Sequence, residues 1–600
     1  MSTRVRWAVA ACLLICAVPG ASKAAPTASF TPHRGLPGRA NPAPLYVHFD
    51  ATATRSSSPR DDAFKDLLYS WNFGDAAAGT WSTTGLPKNV AYGGIAGHVF
   101  ERPGTYTVTL TVTDAAGTVS TATRMIVVDD PDTVWAGKTA CVSTSGNFAG
   151  CPGGSERLTS SSLTSALTNL IGSGFRRILF RRGETFGTNR DYVIPFAAET
   201  GLIGAFGPEA AGRPRVISGP GTERCVICFQ GFDWRVTELD ITTQTTRTIP
   251  VSHDDRGAAD FDRDILIMRN RLTSLDNWNI DFSEGGLPQP HDYIAIVDNE
   301  LRGQTDRAAP GNPQCFFGGA IFYFFSGNTC SNAKGHRYRI TFSEKSVFSH
   351  NRILDATGSF EVIKYQCGPQ HARDLRCEFN IFSDNVLPIA RGLNISGGKI
   401  DDPAVIADSI FERNWFQAGL ELRHPDNVVR FNAMGPTLGG PAGRVCIQLA
   451  GLGATGLGAT LPQVNPTGSQ IYNNTCRTGG DATAFVGIES GTTTGGTAVN
   501  ANLFVTRSGV LVNGGSLPGG QNVVTASSPF ASSTFNGPAD FALDPTAGAA
   551  LIDAGTPGLP RNVDLLANPA PLGPRIDVGA VEFGTAGPAR PAPPVLLGVE

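Results

Sequence analysis

The chain contains little charge and little lysine. Charged residues make up 17% of its 600 residues, and lysine accounts for only 8 of its 48 basic residues. The formal net charge is −4, and the absence of a basic excess argues against a general nucleic-acid-binding role. After the N-terminus no apolar run reaches the roughly 18 residues that a membrane-spanning helix requires. Low charge also disfavours long charged helices and coiled coils.

Glycine and proline, in contrast, are plentiful. The chain has 71 glycines and 41 prolines, and 41% of its residues are hydrophobic. This composition predicts many strands joined by tight turns around a substantial core. At about 150 residues per domain, the length predicts two to four domains.

The N-terminus has the pattern of a signal peptide. Arg4 and Arg6 precede the apolar run Trp7–Val18, and small residues follow around Ala24. The run is too short to span a bilayer, so an uncleaved anchor is the weaker alternative. We predict that residues 1–25 are removed and that the protein is secreted, periplasmic or held at the cell surface.

Ten cysteines remain after the predicted cleavage, and they occur as close neighbours in the sequence. Sequence does not fix their connectivity, but pairing between neighbours is the simplest arrangement in an oxidising compartment. A zinc site is disfavoured, because the one CxxC motif has no second CxxC and no nearby histidine. The neighbouring pairs are Cys141/Cys151, Cys225/Cys228, Cys315/Cys330, Cys367/Cys377 and Cys446/Cys476.

Two motifs mark a first domain over residues 27–129. Trp71-Asn72-Phe73-Gly74-Asp75 is followed by the segment 98–106, which reads HVFERPGTY. Both resemble the PKD domain, an immunoglobulin-like β-sandwich that serves as a spacer or an adhesion module. The resemblance implies that Trp71 and Phe73 are core residues. We also expect this domain to be removable without unfolding the rest of the chain.

The next region begins with a predicted helix over Ser161–Ile171, where apolar residues recur at helical spacing. A strand and an Arg-Gly-Glu-Thr-Phe turn at 182–186 follow it. This order resembles the N-terminal cap of right-handed parallel β-helix proteins, the pectin-lyase-like group. The helix would cover the apolar interior at the open end of the solenoid.

A short repeat supports the same fold. Apolar residues followed by asparagine at a turn recur at intervals compatible with coils of roughly 20 to 30 residues. Asparagine tolerates the left-handed turn conformation, and stacked amides can bond to each other, so we predict an asparagine ladder. The predicted fold is therefore all-β: a PKD sandwich, a right-handed parallel β-helix over 130–585 and a flexible tail over 586–600. The repeated residues are Asn270, Asn299, Asn351, Asn385, Asn414, Asn432, Asn474 and Asn502.

The C-terminal part of the solenoid region carries a further motif. Asp553, Arg575 and Asp577 stand in a pattern that resembles the ending of secreted bacterial β-helix proteins. We interpret them as buried ion pairs of a C-terminal clamp.

The chemistry on such a solenoid must be read from motifs, because the fold hosts lyases, hydrolases, esterases, epimerases and adhesins. The signatures of polygalacturonases and pectate lyases are absent. Lys364 and Arg391 are one predicted coil apart, and Leu422-Arg423-His424 follows. This resembles the alginate-lyase and chondroitinase-B type of β-helix lyase. The resemblance implies that Lys364 is the base and that Arg391 or Arg423 assists at the leaving oxygen.

The same window supplies the predicted substrate contacts, which are Glu361, His371, Arg376 and His424. In the resembled family, calcium ligands lie five and seven residues before the lysine. Those positions are Ser359 and Thr357 here, so we predict no metal ligands, and the cofactor, calcium included, stays open.

The predicted function is cleavage of an acidic polysaccharide by β-elimination, by a monomer without nucleic-acid or membrane-spanning partners. A glycoside hydrolase would instead use a carboxylate pair, such as Asp254 with Asp260 or Glu361 with Glu421. A non-catalytic glycan-binding adhesion protein is the third possibility.

Overall fold

The computed structural model describes residues 24–584 with internal gaps. The gaps are 35–37, 59–60, 196–198, 245–247, 255–261, 276–277, 284–290, 305–312, 355–362, 366, 368–375, 388–392, 396–404, 418, 436–444, 452–463, 479–482 and 535–536. Most of the predicted signal peptide and the whole of the predicted tail lie outside the described residues.

The N-terminal domain is a sandwich of two antiparallel sheets. Trp71 and Phe73 are 1% exposed in its core, as the resemblance implied. The short helix Ala63–Asp66 starts at Asp62, whose carboxylate accepts the N–H groups of Phe64 and Lys65. One sheet contains Thr31–His33, Leu45–Asp50 and Ile95–Phe100, and the other contains Val90–Tyr92, Leu68–Asn72, Gly104–Thr113 and Val119–Val128.

Two helices lead into the second domain. The first, Pro131–Val134, occupies the segment between the domains and is capped by Asp130. The second, Leu163–Gly172, starts where the Ser162 hydroxyl accepts the N–H of Ser165 at 3.2 Å. Its apolar side is part of the solenoid core, which confirms the predicted helical cap.

The second domain is a parallel β-helix whose coils contribute one strand each to three long parallel faces. Face A contains Tyr192–Ile194, Cys225–Phe229, Ile249–His253, Trp278–Phe282, Gln314–Ile321, Tyr338–Glu344, Ile363–Tyr365, Leu393–Ile395, Leu420–Leu422, Val445–Leu449, Ala484–Ile488 and Val510–Asn513. Face B contains Thr139–Ser143, Arg177–Arg181, Gly201–Phe206, Trp234–Thr237, Arg263–Met268, Asp292–Val297, Phe324–Ser326, Val347–Ser349, Ile381–Ser383, Ile410–Glu412, Val428–Arg430, Gln470–Tyr472 and Ala498–Asn500. Face C contains Thr185–Thr188, Arg215–Ser218, Asp240–Thr242, Arg271–Thr273, Glu300–Arg302, Thr329–Ser331, Arg352–Ile353, Val386–Leu387, Trp415–Phe416, Ala433–Met434, Thr475–Arg477, Leu503–Val505 and Val523–Thr525.

A few elements lie outside these faces. Glu156–Thr159 pairs with the first strand of face B, and Cys377–Glu378 pairs in parallel with Ile406–Ala407. Asn562–Val563 and Pro569–Ala570 form a small antiparallel pair. Two short 3-10 helices span Glu209–Ala211 and Pro538–Phe541. In the described part of the chain, no helix has the length and apolarity needed to cross a membrane.

From Trp234–Thr237 onward two-residue turns connect face B to face C, and from the turn formed by Arg269 and Asn270 onward their second residue is an asparagine. Each asparagine side chain donates to the next one along the axis, for example Asn385 to Asn414 at 2.9 Å. The ladder is therefore confirmed, and it also contains Asn328 and Asn522. Asn328 explains the long interval that the sequence showed between Asn299 and Asn351.

The left-handed residue of each turn is the one before the asparagine, which corrects the sequence prediction. Arg269, His350 and Asp384 have φ values of 53°, 54° and 58°. The asparagine is required for its amide, which bonds both to its neighbour in the ladder and to backbone carbonyls inside the coil.

All five predicted disulfides are present. They join Cys141 to Cys151, Cys225 to Cys228, Cys315 to Cys330, Cys367 to Cys377 and Cys446 to Cys476. Because each bond closes a loop of 3 to 30 residues in sequence separation, the bonds fasten neighbouring parts of the same or adjacent coils.

The C-terminal segment folds back on the outside of face C. Phe541, Leu565 and Val578 pack against Trp415 and Leu503. The C-terminal segment thus packs on the solenoid as a clamp would. It does not use the predicted buried ion pairs, because Arg575 is exposed. Instead its carboxylates accept backbone N–H groups. Asp577 accepts from Asp553, Glu582 accepts from Asp577, and Asp564 accepts from Glu582.

The N-terminal domain lies on the outside of face B. Tyr46, Ile95 and Val99 form one apolar cluster with solenoid residues such as Leu266 and Phe324. This contact argues against the expectation that the domain can be removed without unfolding the rest of the chain, since removal would expose apolar surface on both sides.

Asp264, on the face B side of this contact, carries a prediction about pH. Burial and the carboxylates of Asp233 and Asp292 raise its pKa to about 7. A raised carboxyl pKa means that the folded state loses stability as the pH rises from the unfolded value near 4 to about 7. We expect Asp264→Asn to increase the free energy of unfolding by about 2 to 4 kcal/mol at pH 8 and to change little at pH 4.

The backbone permits this substitution, because φ at Asp264 is 58° and asparagine tolerates that region. Denaturant titrations at several pH values measure the effect. Asp544→Asn is the control with the opposite sign, because backbone N–H groups of Thr546 and Ala547 lower the pKa of Asp544. A pH-independent gain for Asp264→Asn would contradict the prediction.

Candidate functional site

The long connections of the solenoid flank face A. On one edge they lead from face C, and on the other they lead to face B, whereas the connections from face B to face C have two residues each from Trp234–Thr237 onward. The N-terminal domain covers face B, and the C-terminal segment covers the later coils of face C. The outer surface of face A is therefore the best candidate for binding a polymer. Long flanking connections lie between Arg302 and Gln314, Ile353 and Ile363, Met434 and Val445, His253 and Arg263, Phe282 and Asp292, Tyr365 and Ile381, Ile395 and Ile410, and Leu449 and Gln470.

One column of residues runs along this surface in strand register, because each member is the Cα partner of the next along the axis. Strand neighbours of its members, such as Ile280, Tyr338, Ile363 and Leu420, belong to the core, so the members beside them face outward. In axial order the column contains Asp281, Phe317, Arg339, Lys364, Asn394, Glu421 and Gln448, of which Asn394 is placed by backbone register alone.

Lys364 lies on the outer surface, as its proposed role requires. Its neighbours Ile363 and Tyr365 are 4% and 0% exposed in the core, whereas Lys364 itself is partly exposed. The Tyr365 hydroxyl fixes the strand from inside by accepting hydrogen bonds from Ser343 Oγ at 3.0 Å and Asn380 Nδ2 at 2.8 Å. These hydrogen bonds inside the solenoid therefore hold the strand that carries Lys364 in position.

Arg339 is the neighbour of Lys364 in the preceding coil. Their strands are about 4.8 Å apart, so two cationic side chains leave the surface side by side. The Arg339 guanidinium lies 4.9 Å from the centre of the Phe317 ring, which in turn stacks on Trp278 at 4.6 Å. This stack orients the guanidinium, and burial lowers the pKa of Arg339 from its usual value.

Two strand spacings beyond Lys364 the column contains an acidic residue, Glu421. Glu421 is 5% exposed and pairs with Nε of Arg423, the residue that follows its strand. The pair brings Arg423 to the outer surface, but its charge is balanced by Glu421. At the other end of the column, burial raises the pKa of the Asp281 carboxyl.

The other predicted site residues are not all part of this column. Arg391, His371 and Glu361 lie outside the described residues, and the register places Asn394 rather than Arg391 beside Lys364. Arg376 is described, but its exposed side chain pairs with Glu378 at 2.8 Å next to face B.

His424 does not fit the predicted role in substrate binding. It is fully buried, and its Nδ1 accepts the N–H of Ile406 at 3.3 Å. Burial lowers the pKa of His424 to about 3, so the ring stays neutral inside the coil. It supports the corner between faces A and B and offers no contact to a polymer on the surface.

Three side chains with metal-ligand chemistry meet at the same corner, inside the solenoid. His253 Nδ1 lies 2.7 Å from Asp262 Oδ2, and the N–H of Asp262 donates to His291 Nδ1 at 2.9 Å. In neutral His291 the proton is consequently on Nε2, which leaves no lone pair for an ion. The group is best described as buried hydrogen-bonded support, similar to that of His424.

Sequence reasoning missed Arg339 because it searched one coil after Lys364 and not one coil before it. A signal was present in the sequence. The triads Tyr338-Arg339-Ile340 and Ile363-Lys364-Tyr365 share an apolar–polar–apolar pattern. Aligning such triads, rather than counting residues, would have paired the two cations.

Comparison with known proteins identifies one domain of the chain. Residues 39–127 match the PKD domain family. The N-terminal sandwich is a PKD domain. A search of curated proteins found no match to the chain.

Solved structures similar to this chain include three carbohydrate-acting proteins. The mannuronan C-5 epimerase AlgE6 A-module of Azotobacter vinelandii is 12% identical, with a TM-score of 0.43, and the match covers 61% of this chain and 94% of that one. A family 28 exopolygalacturonase of Yersinia enterocolitica is 9% identical, with a TM-score of 0.41 and coverages of 84% and 98%. The catalytic unit of an alpha-1,3-glucanase of Streptomyces thermodiastaticus is 12% identical, with a TM-score of 0.32 and coverages of 84% and 98%.

Proposed function

We propose that the protein is a carbohydrate-active enzyme that cleaves an acidic polysaccharide by β-elimination on the outer surface of face A. The observation that carries this proposal is the adjacency of Lys364 and Arg339 on that surface. A lyase needs a base and a nearby cation at one uronate, and this pair supplies both chemical types within one strand spacing.

The reaction assigns one task to each side chain. The neutral amine of Lys364 takes the proton from the carbon next to the uronate carboxylate, while Arg339 stabilises the negative charge that develops on that carboxylate. The electron pair forms a carbon–carbon double bond as the bond to the glycosidic oxygen breaks. The leaving oxygen takes up a proton while Lys364 gives up the one that it abstracted, by exchange through solvent, so the amine is regenerated and no water is consumed.

Arg423 is the described arginine that can act at the leaving oxygen. Its partner Glu421 lies two strand spacings, about 10 Å, from Lys364, which suits contact with a neighbouring sugar or with the leaving group. Arg391 keeps its predicted role only as a proposal. Calcium ligands are not assigned, because Thr357 and Ser359 stand where the resembled family has acidic ligands, and we assign to Arg339 the neutralisation of the carboxylate.

A hydrolase receives less support from the column. Asp281 and Glu421 are separated by five strand spacings, about 24 Å, whereas a glycosidase pair is about 5 to 9.5 Å apart. Asp254 is buried, and Asp260 and Glu361 lie outside the described residues. We further propose a secreted, periplasmic or cell-surface location and a monomeric state, the location being supported by the five disulfides.

Incubation with a panel of uronate polymers tests the proposal. The unsaturated sugar formed by β-elimination absorbs in the ultraviolet, so we expect absorbance to rise together with new reducing ends. New reducing ends without absorbance would contradict the lyase and favour a hydrolase. Binding on a glycan array without either change would favour the adhesion protein.

A further inference from the structure

We infer that the PKD domain is a structural brace of the β-helix, and that the two unfold as one cooperative unit. Resemblance to its family implied a spacer or an adhesion module. The contact with face B has three properties that a tethered module does not need.

First, two strands of the PKD domain are buried on both faces. All six residues of Leu45–Asp50 and all six of Ile95–Phe100 are buried. Alternate side chains of these strands enter the sandwich core, and the remaining ones meet face B. The domain thus packs sheet against sheet on the solenoid, and the outward-facing residues of both strands, the polar His48 and Asp50 included, are shielded from solvent.

Second, glycines on each side accommodate large side chains from the other side. A Cβ atom at Gly97 of the PKD domain would lie 2.5 Å from the Phe324 ring of face B. In the opposite direction, a Cβ at Gly327 of the solenoid would lie 2.6 Å from the ring of Trp81. Only glycine permits these approaches, so each surface has the shape of the other.

Third, charges at the rim are complementary in both directions. The PKD domain supplies Lys65 to Asp408 at 2.7 Å, and the solenoid supplies Lys345 to Asp50 at 2.8 Å. Further pairs join the two domains, namely Lys88 with Asp298, Arg39 with Asp233 and Glu101 with Arg269. Fixed pairs on opposite edges of one apolar contact define a single orientation.

The apolar outer side of face B explains why the brace is needed. Leu266, Met268, Ala295 and Val297 point away from the solenoid core and are at most 2% exposed with the domain in place. Without the domain these residues would form a contiguous apolar surface on the outside of adjacent coils.

The full-length protein with Gly97→Ala tests the inference. Calorimetry of the wild type should show one unfolding transition. Gly97→Ala should lower its midpoint by several degrees or split it into two, because the new methyl group strikes Phe324. Gly153→Ala is the matched control, since its Cβ would have no neighbour within 4 Å, and it should melt like the wild type.

Removal of the Phe324 ring should relieve the clash with the methyl group introduced at position 97. Adding Phe324→Ala to Gly97→Ala should lower the midpoint by less than the sum of the two single changes, because the substituted residues interact directly. Two separate transitions in the wild type, or a wild-type midpoint for Gly97→Ala, would overturn the brace.

A second pair of variants uses the rim and avoids any steric change in the core. Lys65→Met and Asp408→Asn should each lower the midpoint, and the double variant should lose less than the sum of the two, because Lys65 Nζ contacts Asp408 at 2.7 Å. Side chains at this pair are 16% and 26% exposed, and asparagine tolerates the φ of 48° at Asp408, so these variants should fold. Strictly additive losses would contradict a fixed orientation. None of these measurements depends on polysaccharide cleavage.

Discussion

Replacement of Lys364 by alanine should reduce turnover of an acidic polysaccharide by at least about 100-fold, as expected for loss of a general base. The free energy of unfolding should change little, because the side chain leaves the outer surface between the core residues Ile363 and Tyr365. Initial rates of ultraviolet absorbance increase measure the effect. Lys138→Ala is the matched control, because Lys138 is an exposed lysine paired with Glu199 away from the column.

Lys364→Arg separates a base from a binding cation. Arginine keeps the positive charge but does not deprotonate in proteins, so it cannot take a proton from the substrate. We expect this variant to be as inactive as Lys364→Ala while it still binds the polymer. Substantial activity in Lys364→Arg would show that Lys364 only binds, and the base would then have to be sought in the connections beside face A.

Glu412→Ala should be among the most destabilising single substitutions, at about 3 to 5 kcal/mol. Glu412 is 1% exposed and lies between two buried arginines. Its carboxylate contacts Nη1 of Arg413 and Nε of Arg430, the latter at 2.7 Å. Its removal leaves Arg430 without a carboxylate partner, whereas Arg413 keeps its pair with Asp384 at 3.1 Å. The loss falls where the solenoid, the PKD domain and the C-terminal segment meet. Asn562 also contacts the carboxylate, at 3.3 Å.

Denaturant unfolding at neutral pH measures this loss. The two arginines lower the pKa of Glu412 despite its burial, so its contribution is present above the unfolded value near 4 and is lost in more acidic solution. The difference between wild type and variant should therefore shrink as the pH falls through that range. Glu300→Ala is the control, since this partly exposed residue bridges arginines on face C and should cost less than about 1 kcal/mol. Equal losses for the two variants would contradict the argument.

Features that depend on short sequence distances were predictable. The capping helix follows from apolar spacing over one segment, and the disulfides join cysteines that are neighbours in the sequence. The asparagine ladder follows from a short turn repeated in consecutive coils from Asn270 onward, and the two members that were not predicted, Asn328 and Asn522, are preceded by glycine and glutamine. The PKD domain was recognisable because both of its motifs lie within one domain.

Two features depended on distances that the sequence does not encode locally. The partner of Lys364 is set by strand register, and the connections beside face A vary so much in length that residue counting selected Arg391 instead of Arg339. The docking of the PKD domain on face B requires apolar side chains from many coils to face outward together. Each short strand of face B simply reads as a run of apolar residues, as any buried strand does, so the sequence does not show which of them face outward. By itself the sequence therefore determined the elements, the turns and the chemical types available. The tertiary structure alone decided which side chains share a surface, because stacking of the coils brings together residues that lie far apart in the chain.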